Sequence, residues 1–287
     1  MIGYRWAIAA AALFCIGVAS DDALACGAMN DPCPVASGSY HAVGPAWKDG
    51  DPAFPAIVHF HGAGGSGTGV LDEQEMVDPA LAKGYVFIGP NGADRPNGRR
   101  SGWRFRPQDT EGRDELNFIR EVLKDAETRF HIDRARVLLT GFSIGGSLVW
   151  YLACRAPNEF AAYAPVSGGF WVPQPETCAG PIKMLHTHGW IDRTVPLEGR
   201  PLGNVGVQQG DIFQGLQFWR KLNGCANVRP DEFDTSGVFW RRRWTTCAPG
   251  TALELALHKG GHEMMDEWMP MAIDWFERQY PRVHAAR

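Results

Sequence analysis

The sequence predicts a single α/β domain, in which a mostly parallel central sheet is flanked by helices. Short apolar runs of strand length alternate with helical patterns between residues 40 and 280, as expected of βαβ units. No repeat or low-complexity linker interrupts this stretch. Of the 287 residues, 45% are hydrophobic and 21% are charged. This composition is typical of a globular domain and unlike that of disordered or coiled-coil chains.

The N-terminal segment contains a positive charge, an apolar run and a cleavage site in the order typical of a secretory signal peptide. Arg5 precedes an apolar run from Trp6 to Val18, and Ala23-Leu24-Ala25 provides small residues at a cleavage site. Because the run is too short to cross a bilayer as a stable helix, we expect no transmembrane segment. We therefore predict that residues 1–25 are removed and that residues 26–287 form one catalytic domain, secreted to the extracellular space or the periplasm.

Cleavage leaves an even number of cysteines in a protein bound for an oxidising compartment, which favours disulfides. These cysteines are Cys26, Cys33, Cys154, Cys178, Cys225 and Cys247. Closeness in sequence suggests that each pairs with its neighbour along the chain, although sequence alone leaves other pairings open. Cys26 could instead carry a lipid anchor, but the leucine usual three positions before a lipidated cysteine is absent.

Six apolar segments bounded by Gly or Pro are predicted as strands of the sheet. They are Ala56–Phe60, Tyr85–Gly89, Val137–Thr140, Ala161–Val166, Ile182–His186 and Leu253–Leu257.

Helices and one long loop are predicted between and after these strands. Apolar residues from Leu116 to Phe130 recur every three or four positions behind acidic Asp114, which predicts an amphipathic helix. A last helix is predicted to start at Pro270, since proline suits a first helical turn. The stretch from Asn91 to Gly112 has no period and is predicted as a surface loop.

A nucleophile motif follows the predicted Val137–Thr140 strand. Residues 141–146 read Gly-Phe-Ser-Ile-Gly-Gly and precede a helical run from Ser147 to Cys154. This G-x-S-x-G pattern in a strand, turn and helix is typical of a sharp turn that exposes a serine hydroxyl. The sequence therefore predicts Ser143 as a nucleophile. The alternative is an ordinary glycine-rich turn, which would not need to lie between a strand and a helix.

A serine hydroxyl needs a base, and that base needs a carboxylate to orient it. Asp192 follows the strand that contains His186, and His262 follows two glycines after the next strand. Each residue alone would be read as a turn cap or a surface histidine. Together with Ser143 they occur in the chain order Ser, Asp, His that this arrangement requires.

An oxyanion loop is predicted directly after the Ala56–Phe60 strand. Residues 61–67 read His-Gly-Ala-Gly-Gly-Ser-Gly, similar to the glycine-rich loops that stabilise tetrahedral intermediates with backbone amides. We nominate the amides of Ala63 and Ile144 as the donors. A phosphate-binding P-loop is disfavoured, because its Lys and its Ser or Thr are missing.

Charge and residue spacing exclude several other partners. With 28 basic and 32 acidic residues the formal net charge is −4, so nucleic acid is not expected. No cofactor or metal is predicted, because the histidine pairs have no third ligand at a suitable spacing. Trp103, Trp171 and Trp190 are candidate substrate-binding residues, with burial in the core as the equal alternative.

Several motifs together resemble the secreted polyhydroxybutyrate depolymerase and feruloyl esterase family of α/β-hydrolases. The resemblance covers most of residues 52–279 and rests on 61–65, 141–146, 152–154, Cys178, 188–196 and 261–262. It implies an α/β-hydrolase fold, a Ser143-Asp192-His262 triad, and disulfides between Cys154 and Cys178 and between Cys225 and Cys247. Polymer-degrading members often carry a linker and a separate binding domain, which do not follow the last predicted helix here. The Glu263-Met264-Met265 segment also departs from the Trp-Pro-Gly-like stretch of many relatives.

The sequence therefore predicts a secreted serine esterase that acts through an acyl-enzyme. The first substrate class expected from the resemblance is a hydroxyalkanoate oligomer or polymer. The alternative is a feruloyl or acetyl ester on plant polysaccharide, and an inactive glycan- or polymer-binding module is the alternative of another class. The oligomeric state is not predicted.

Overall fold

The computed structural model of the protein describes residues 24–25, 31–95, 99–109, 111–203 and 206–280. The strands are β1 Leu24–Ala25, β2 Cys33–Val35, β3 Gly38–Gly44, β4 Phe54–Phe60, β5 Val86–Pro90, β6 Ala93–Arg95, β7 Arg99–Gly102, β8 Ile132–Phe142, β9 Ala162–Val166, β10 Trp171–Val172, β11 Lys183–Gly189, β12 Arg200–Leu202, β13 Val207–Gln209, β14 Glu232–Asp234, β15 Trp240–Trp244 and β16 Ala252–His258. The helices are α1 Gly67–Leu71, α2 Gln74–Ala82, α3 Glu115–Phe130, α4 Ile144–Arg155, α5 Ile212–Leu222 and α6 Trp268–Gln279.

One sheet organises the domain, in the order β1-β3-β5-β4-β8-β9-β11-β16-β15-β14, with β2 paired to β3. Six adjacent strands of this sheet run parallel to one another, in the order β5, β4, β8, β9, β11 and β16. Antiparallel strands extend both edges. After β4 the next main strand in the chain, β5, lies on one side of β4, whereas the following one, β8, lies on the other side. The order in which strands are added to the sheet therefore reverses at β4 and β8. Open α/β sheets bind ligands at such a reversal, beyond the carboxyl ends of the strands.

Successive residues of the central strands pack into two different hydrophobic cores, one on each face of the sheet. Val58 and Leu139 join the core under α3, α4 and α5. Ile57 and Leu138, their sequence neighbours, join the core under α2 and α6. Because both faces are covered, the central strands read as continuous apolar runs rather than as alternating patterns.

The predicted mostly parallel α/β class is confirmed, and each of the six predicted strands is present. Five of them lie within three residues of their expected bounds, whereas β8 begins at Ile132, five residues before the expected Val137. The helix behind Asp114 is also confirmed. The Asp114 carboxylate caps it by accepting hydrogen bonds from the Leu116 and Asn117 amides. The last helix begins at Trp268, two residues before the expected Pro270. Pro270 still lies in the first turn, where its missing N–H costs nothing.

The prediction of an irregular loop from Asn91 to Gly112 was incomplete. This stretch contains the antiparallel pair of β6 and β7. Three- and four-residue strands leave no detectable period in a sequence, and the same reason hid the short edge strands β2 and β14.

Two disulfides have the predicted partners, Cys154 with Cys178 and Cys225 with Cys247. Cys33 is also disulfide-bonded, but Cys26 lies outside the described residues, so their pairing stays a prediction. The apolar run from Trp6 to Val18 lies outside the described residues as well. Within the part of the chain that the structure describes, no helix is long and apolar enough to cross a membrane.

Candidate active site

Ser143 occupies a tight turn between β8 and α4. Its backbone has φ 59° and ψ −119°, a conformation that residues with a side chain rarely adopt. A Cβ on Gly141 would lie 2.7 Å from the Gly145 carbonyl oxygen, and one on Gly145 would lie 2.1 Å from the Phe60 carbonyl oxygen. Both flanking glycines are therefore required for the turn to close against the end of β4, as the motif predicted.

The side chains of Ser143, Asp192 and His262 form one hydrogen-bonded series. His262 Nε2 lies 2.9 Å from Ser143 Oγ, and His262 Nδ1 lies 2.7 Å from Asp192 Oδ2. The carboxylate can only accept, so His262 Nδ1 carries a proton and Nε2 presents its lone pair to the serine hydroxyl. This is the tautomer that a general base for Ser143 requires.

Two loops carry the aspartate and the histidine, and backbone contacts hold these loops together. The Trp190 amide donates to the His258 carbonyl at 2.8 Å, and the Ile191 amide donates to the Gly260 carbonyl at 3.2 Å. Just before Trp190, the two loops are so close that a Cβ on Gly189 would lie only 2.0 Å from the Gly261 carbonyl oxygen. The close approach of the loops therefore depends on a glycine at the end of β11.

The Asp192 side chain is 0% exposed, and its carboxylate remains an anion. Its Oδ1 accepts hydrogen bonds from the Thr194 and Val195 amides, both at 2.8 Å. Burial by itself raises the pKa of Asp192, but the hydrogen bonds from His262 and the Val195 amide outweigh burial and hold the pKa below its ordinary value. A carboxylate kept ionised beside His262 can stabilise an imidazolium during the reaction.

The two predicted oxyanion donors belong to separate segments of the chain, the turn after β4 and the start of α4. Ala63 is exposed in the turn after β4, next to Gly62, on which a Cβ would lie 3.6 Å from Ser143 Cβ. Ile144 is the first residue of α4, and the first amides of a helix have no acceptor within the helix. The positive end of the α4 dipole adds to these amides in favouring a negative oxygen at this position.

A set of hydrogen bonds, here called the clamp, holds the predicted oxyanion loop of residues 61–67 and was not foreseen from the sequence. His61 Nε2 accepts a hydrogen bond from the Gly92 amide at 3.0 Å, so its Nδ1 carries the proton and donates to the Gly62 carbonyl at 2.7 Å. Trp103 Nε1 donates to the His61 carbonyl at 2.8 Å, and Ser101 Oγ donates to the Gly65 carbonyl at 2.7 Å. The only available signal was the position of the Asn91–Gly112 segment, which follows the strand beside β4.

The three tryptophans nominated as substrate contacts lie in different surroundings. Trp103 is 1% exposed and packs on His61 at 4.7 Å between ring centroids, so it offers no open ring face and supports the oxyanion loop instead. Trp171 is partly buried beside α4, where its Nε1 donates to Ser147 Oγ at 3.3 Å. Trp190 is 53% exposed, two residues before Asp192.

A cleft of about 380 Å³ adjoins His262 and the oxyanion loop. Phe142 and Met264 line it with apolar surface, and Glu73 and Glu263 add carboxylates. A larger cavity of about 680 Å³ lies along α4 and contains none of the three hydrogen-bonded residues. Of these two spaces, only the smaller cleft is lined by a residue of the hydrogen-bonded series, His262. Across the described ranges, no three His, Cys, Asp or Glu side chains are grouped so as to hold a metal ion.

Comparison with known sequences relates this site to a family of esterases. Residues 47–202 match the phospholipase/carboxylesterase family. Feruloyl esterase C of Emericella nidulans is 32% identical over 199 residues, covering 62% of this chain and 68% of the relative. Feruloyl esterase B of Piromyces equi is 27% identical over 236 residues, covering 76% of this chain and 41% of the relative. This chain thus spans less than half of the Piromyces equi protein.

Solved structures share the fold at low sequence identity. The acetyl xylan esterase from Aspergillus awamori superposes with a TM-score of 0.61 at 16% identity, covering 83% of this chain and 93% of that chain. The carboxylesterase from Bacillus cereus gives a TM-score of 0.53 at 15% identity, covering 85% and 96%.

Proposed function

This chain belongs to the phospholipase/carboxylesterase family of α/β-hydrolases, and from that premise we propose that it is a secreted serine esterase that cleaves feruloyl or acetyl esters of plant polysaccharide. The observation that carries the proposal is the hydrogen-bonded series from Ser143 through His262 to Asp192, with both contacts under 3 Å. A binding module has no physical need for a strained serine, an oriented base, a buried carboxylate and an oxyanion loop together.

The proposed mechanism uses these groups in order. Ser143 Oγ attacks the ester carbonyl while His262 Nε2 takes the hydroxyl proton, and Asp192 stabilises the imidazolium that forms. The amides of Ala63 and Ile144 stabilise the tetrahedral oxyanion. His262 then donates its proton to the departing alcohol oxygen. Water, deprotonated by His262, then attacks the acyl-enzyme carbonyl, and His262 returns that proton to Ser143 Oγ as the acyl–oxygen bond breaks and the acid is released.

The substrate class rests on the comparisons rather than on the triad. The relatives above are named feruloyl esterases, and the acetyl xylan esterase shares the fold. These names favour the alternative expected from the sequence over its first expectation, a hydroxyalkanoate oligomer. Glu73 and Glu263 at the cleft suit a neutral, hydroxylated group better than a free carboxylate. Two disulfides and the predicted signal peptide support secretion.

The first test combines covalent labelling with turnover of three substrates. Purified protein is treated with a fluorophosphonate, the adduct is mapped, and hydrolysis of methyl ferulate, p-nitrophenyl acetate and a hydroxybutyrate oligomer is compared. We expect an adduct on Ser143, loss of labelling and turnover in Ser143→Ala, and a higher kcat/KM for methyl ferulate or the acetate than for the oligomer. Ser167→Ala is a matched control, because the hydroxyl of this buried serine near the turn has no hydrogen-bond partner among the residues that the structure describes.

Each outcome bears on one part of the proposal. A preferred hydroxybutyrate oligomer would overturn the substrate class but leave the mechanism. Full turnover by Ser143→Ala would overturn the mechanism. If nothing labels and nothing turns over, the binding-module alternative replaces the esterase proposal.

Trp190 is proposed to contact the polysaccharide beside the cleft. Its ring is exposed next to Asp192 and lies 6.4 Å from the Trp240 ring, between centroids. An aromatic contact of this kind contributes about 1 kcal/mol, so Trp190→Ala should lower kcat/KM on feruloylated polysaccharide about fivefold and leave methyl ferulate hydrolysis nearly unchanged. Val228→Ala is the control, because it removes another exposed apolar side chain, 66% exposed. Equal losses on both substrates would contradict a polymer contact.

A further inference from the structure

Two buried histidines that the proposed mechanism does not use lie behind Asp192. His186 and His188 point to the same side of β11, and both are 0% exposed. Their rings lie 5.2 Å apart between centroids. A buried polar ring needs hydrogen-bond partners, and the partners of this pair lead directly to the Asp192 loop.

The hydrogen bonds assign one tautomer to each histidine. The Trp150 indole N–H can only donate, and it lies 3.2 Å from His186 Nδ1. The proton of neutral His186 therefore lies on Nε2, which donates to His188 Nδ1 at 3.0 Å. The proton of His188 must then lie on Nε2. Every donor in this series points from Trp150 toward the Asp192 loop.

This series of hydrogen bonds ends at Val195, which also donates a hydrogen bond to the Asp192 carboxylate. His188 Nε2 donates to the Val195 carbonyl at 2.7 Å, while the Val195 amide donates to Asp192 Oδ1 at 2.8 Å. His188 Nε2 is also 3.5 Å from Asp192 Oδ2, the oxygen that accepts from His262. Val195 is thus held at its carbonyl by His188 and aims its amide at Asp192.

Both histidines are neutral, which matters for the charge on Asp192. Burial lowers the pKa of His188 to about 4, against the opposing effects of the Val195 hydrogen bond and the Asp192 charge. Burial and the neighbouring His188 also lower the pKa of His186 well below its ordinary value. A protonated His188 would compete with His262 for the Asp192 carboxylate, whereas a neutral ring leaves that charge to His262.

We propose that His186 and His188 are positioning residues for ester hydrolysis, which hold the Asp192 carboxylate against His262 through the Val195 carbonyl. The inference rests on the proposed function, because it assigns these residues to the same triad. It goes beyond the triad in making the position of the Asp192 carboxylate depend on a directed series of neutral donors that begins at Trp150.

Nitrogen NMR of histidine-labelled protein tests the tautomers without any substitution. At pH 7 we expect His186 and His188 to be neutral with the proton on Nε2, and exchange of these protons to be slow because the rings are buried. Resonances showing His188 protonated on Nδ1, or doubly protonated, would overturn the proposal, because the Val195 carbonyl would then lose the assigned neutral donor.

Variants test whether the series acts on catalysis. His188→Leu removes the donor and should lower kcat on methyl ferulate about 100-fold, the cost of a small misplacement of a catalytic group, while KM changes less than about twofold. His188→Gln places an amide N–H near the position of Nε2 and should recover at least about tenfold of that loss. His41→Leu is the control, since His41 is also buried but lies on β3 and contacts Thr68.

The outcomes separate this inference from the proposed function. If Ser143 labels and turns over ester while folded His188→Leu keeps the parent kcat, the inference fails and the triad stands. If His188→Gln is no better than His188→Leu in a folded protein, the directed donor has no role and the inference also fails. If Ser143→Ala remains active, the proposed function itself fails. Should His188→Leu not fold, His188→Gln and the NMR measurement still decide.

Discussion

Acid should destabilise this protein strongly before its carboxylates titrate, because several histidines are buried in the neutral form. Burial, with a smaller effect of neighbouring His61, lowers the pKa of His59 to about 3. Burial likewise lowers the pKa of His188 to about 4. In the unfolded chain both side chains titrate near the ordinary histidine value of about 6.5. The unfolded state therefore binds more protons between these limits, so stability is complete above about pH 6.5 and is lost as the pH falls toward about 4.

The size of the effect follows from linkage. At about pH 5 each of the two groups is almost fully protonated when unfolded and mostly neutral when folded, which costs about 2 kcal/mol per group relative to pH 8. His59 and His188 together then remove about 4 kcal/mol. The other buried histidines with lowered pKa, His41, His61, His186 and His258, act in the same direction. A loss of this size is a large part of the free energy of unfolding of an ordinary domain.

Urea unfolding at pH 8, 7, 6 and 5, followed by tryptophan fluorescence and circular dichroism, measures this dependence. His59→Leu should shrink the difference between pH 8 and pH 5 by about 2 kcal/mol, whatever its effect on absolute stability. A free energy of unfolding that changes by less than about 1 kcal/mol between pH 8 and pH 5 would refute the reasoning, because it would mean that these rings are hydrated or already charged in the folded protein.

Two further perturbations test the loops and the cross-links. Gly189→Ala should lower kcat by about 100-fold, because the new Cβ would lie 2.0 Å from the Gly261 carbonyl oxygen and separate the two triad loops, whereas Gly237→Ala meets no atom within 4 Å and should behave as the parent in the same assay. Replacing Cys225 and Cys247 together by alanine should lower the free energy of unfolding by about 3 kcal/mol, since the bond closes a sequence separation of 22 residues, and an unchanged urea midpoint would contradict a stabilising bridge.

The parallel core of the sheet could be predicted because its strands are buried on both faces. Residues such as Ile57 and Val58 must both be apolar when each packs into a different core, and that requirement is visible as a continuous run. The edge strands carry no such requirement. Phe233 in β14 is 59% exposed and its strand has three residues, so neither length nor pattern distinguished it from a loop.

The candidate site was predictable where chemistry restricts both residue type and local backbone. Ser143 between Gly141 and Gly145 is such a case, since steric contacts demand the glycines. The clamp on the oxyanion loop was not predictable. Trp103 and Ser101 reach His61 and Gly65 across 42 and 36 residues of sequence, and no spacing rule connects positions so far apart. For Trp103 the sequence left substrate contact and core burial as equal alternatives, and the structure buries it.

The sequence by itself determined the parallel α/β class, the tight turn at Ser143 and the chain order of Asp192 and His262, because local sterics and burial on both sheet faces leave patterns along the chain. Only the tertiary structure decided that His188 lies behind Asp192 with its proton aimed at Val195. The sequence does not distinguish a neutral strand histidine that fills a core from one that orients a catalytic group. Its role depends on which atoms lie within 3 Å of its nitrogens, and folding alone brings those atoms there.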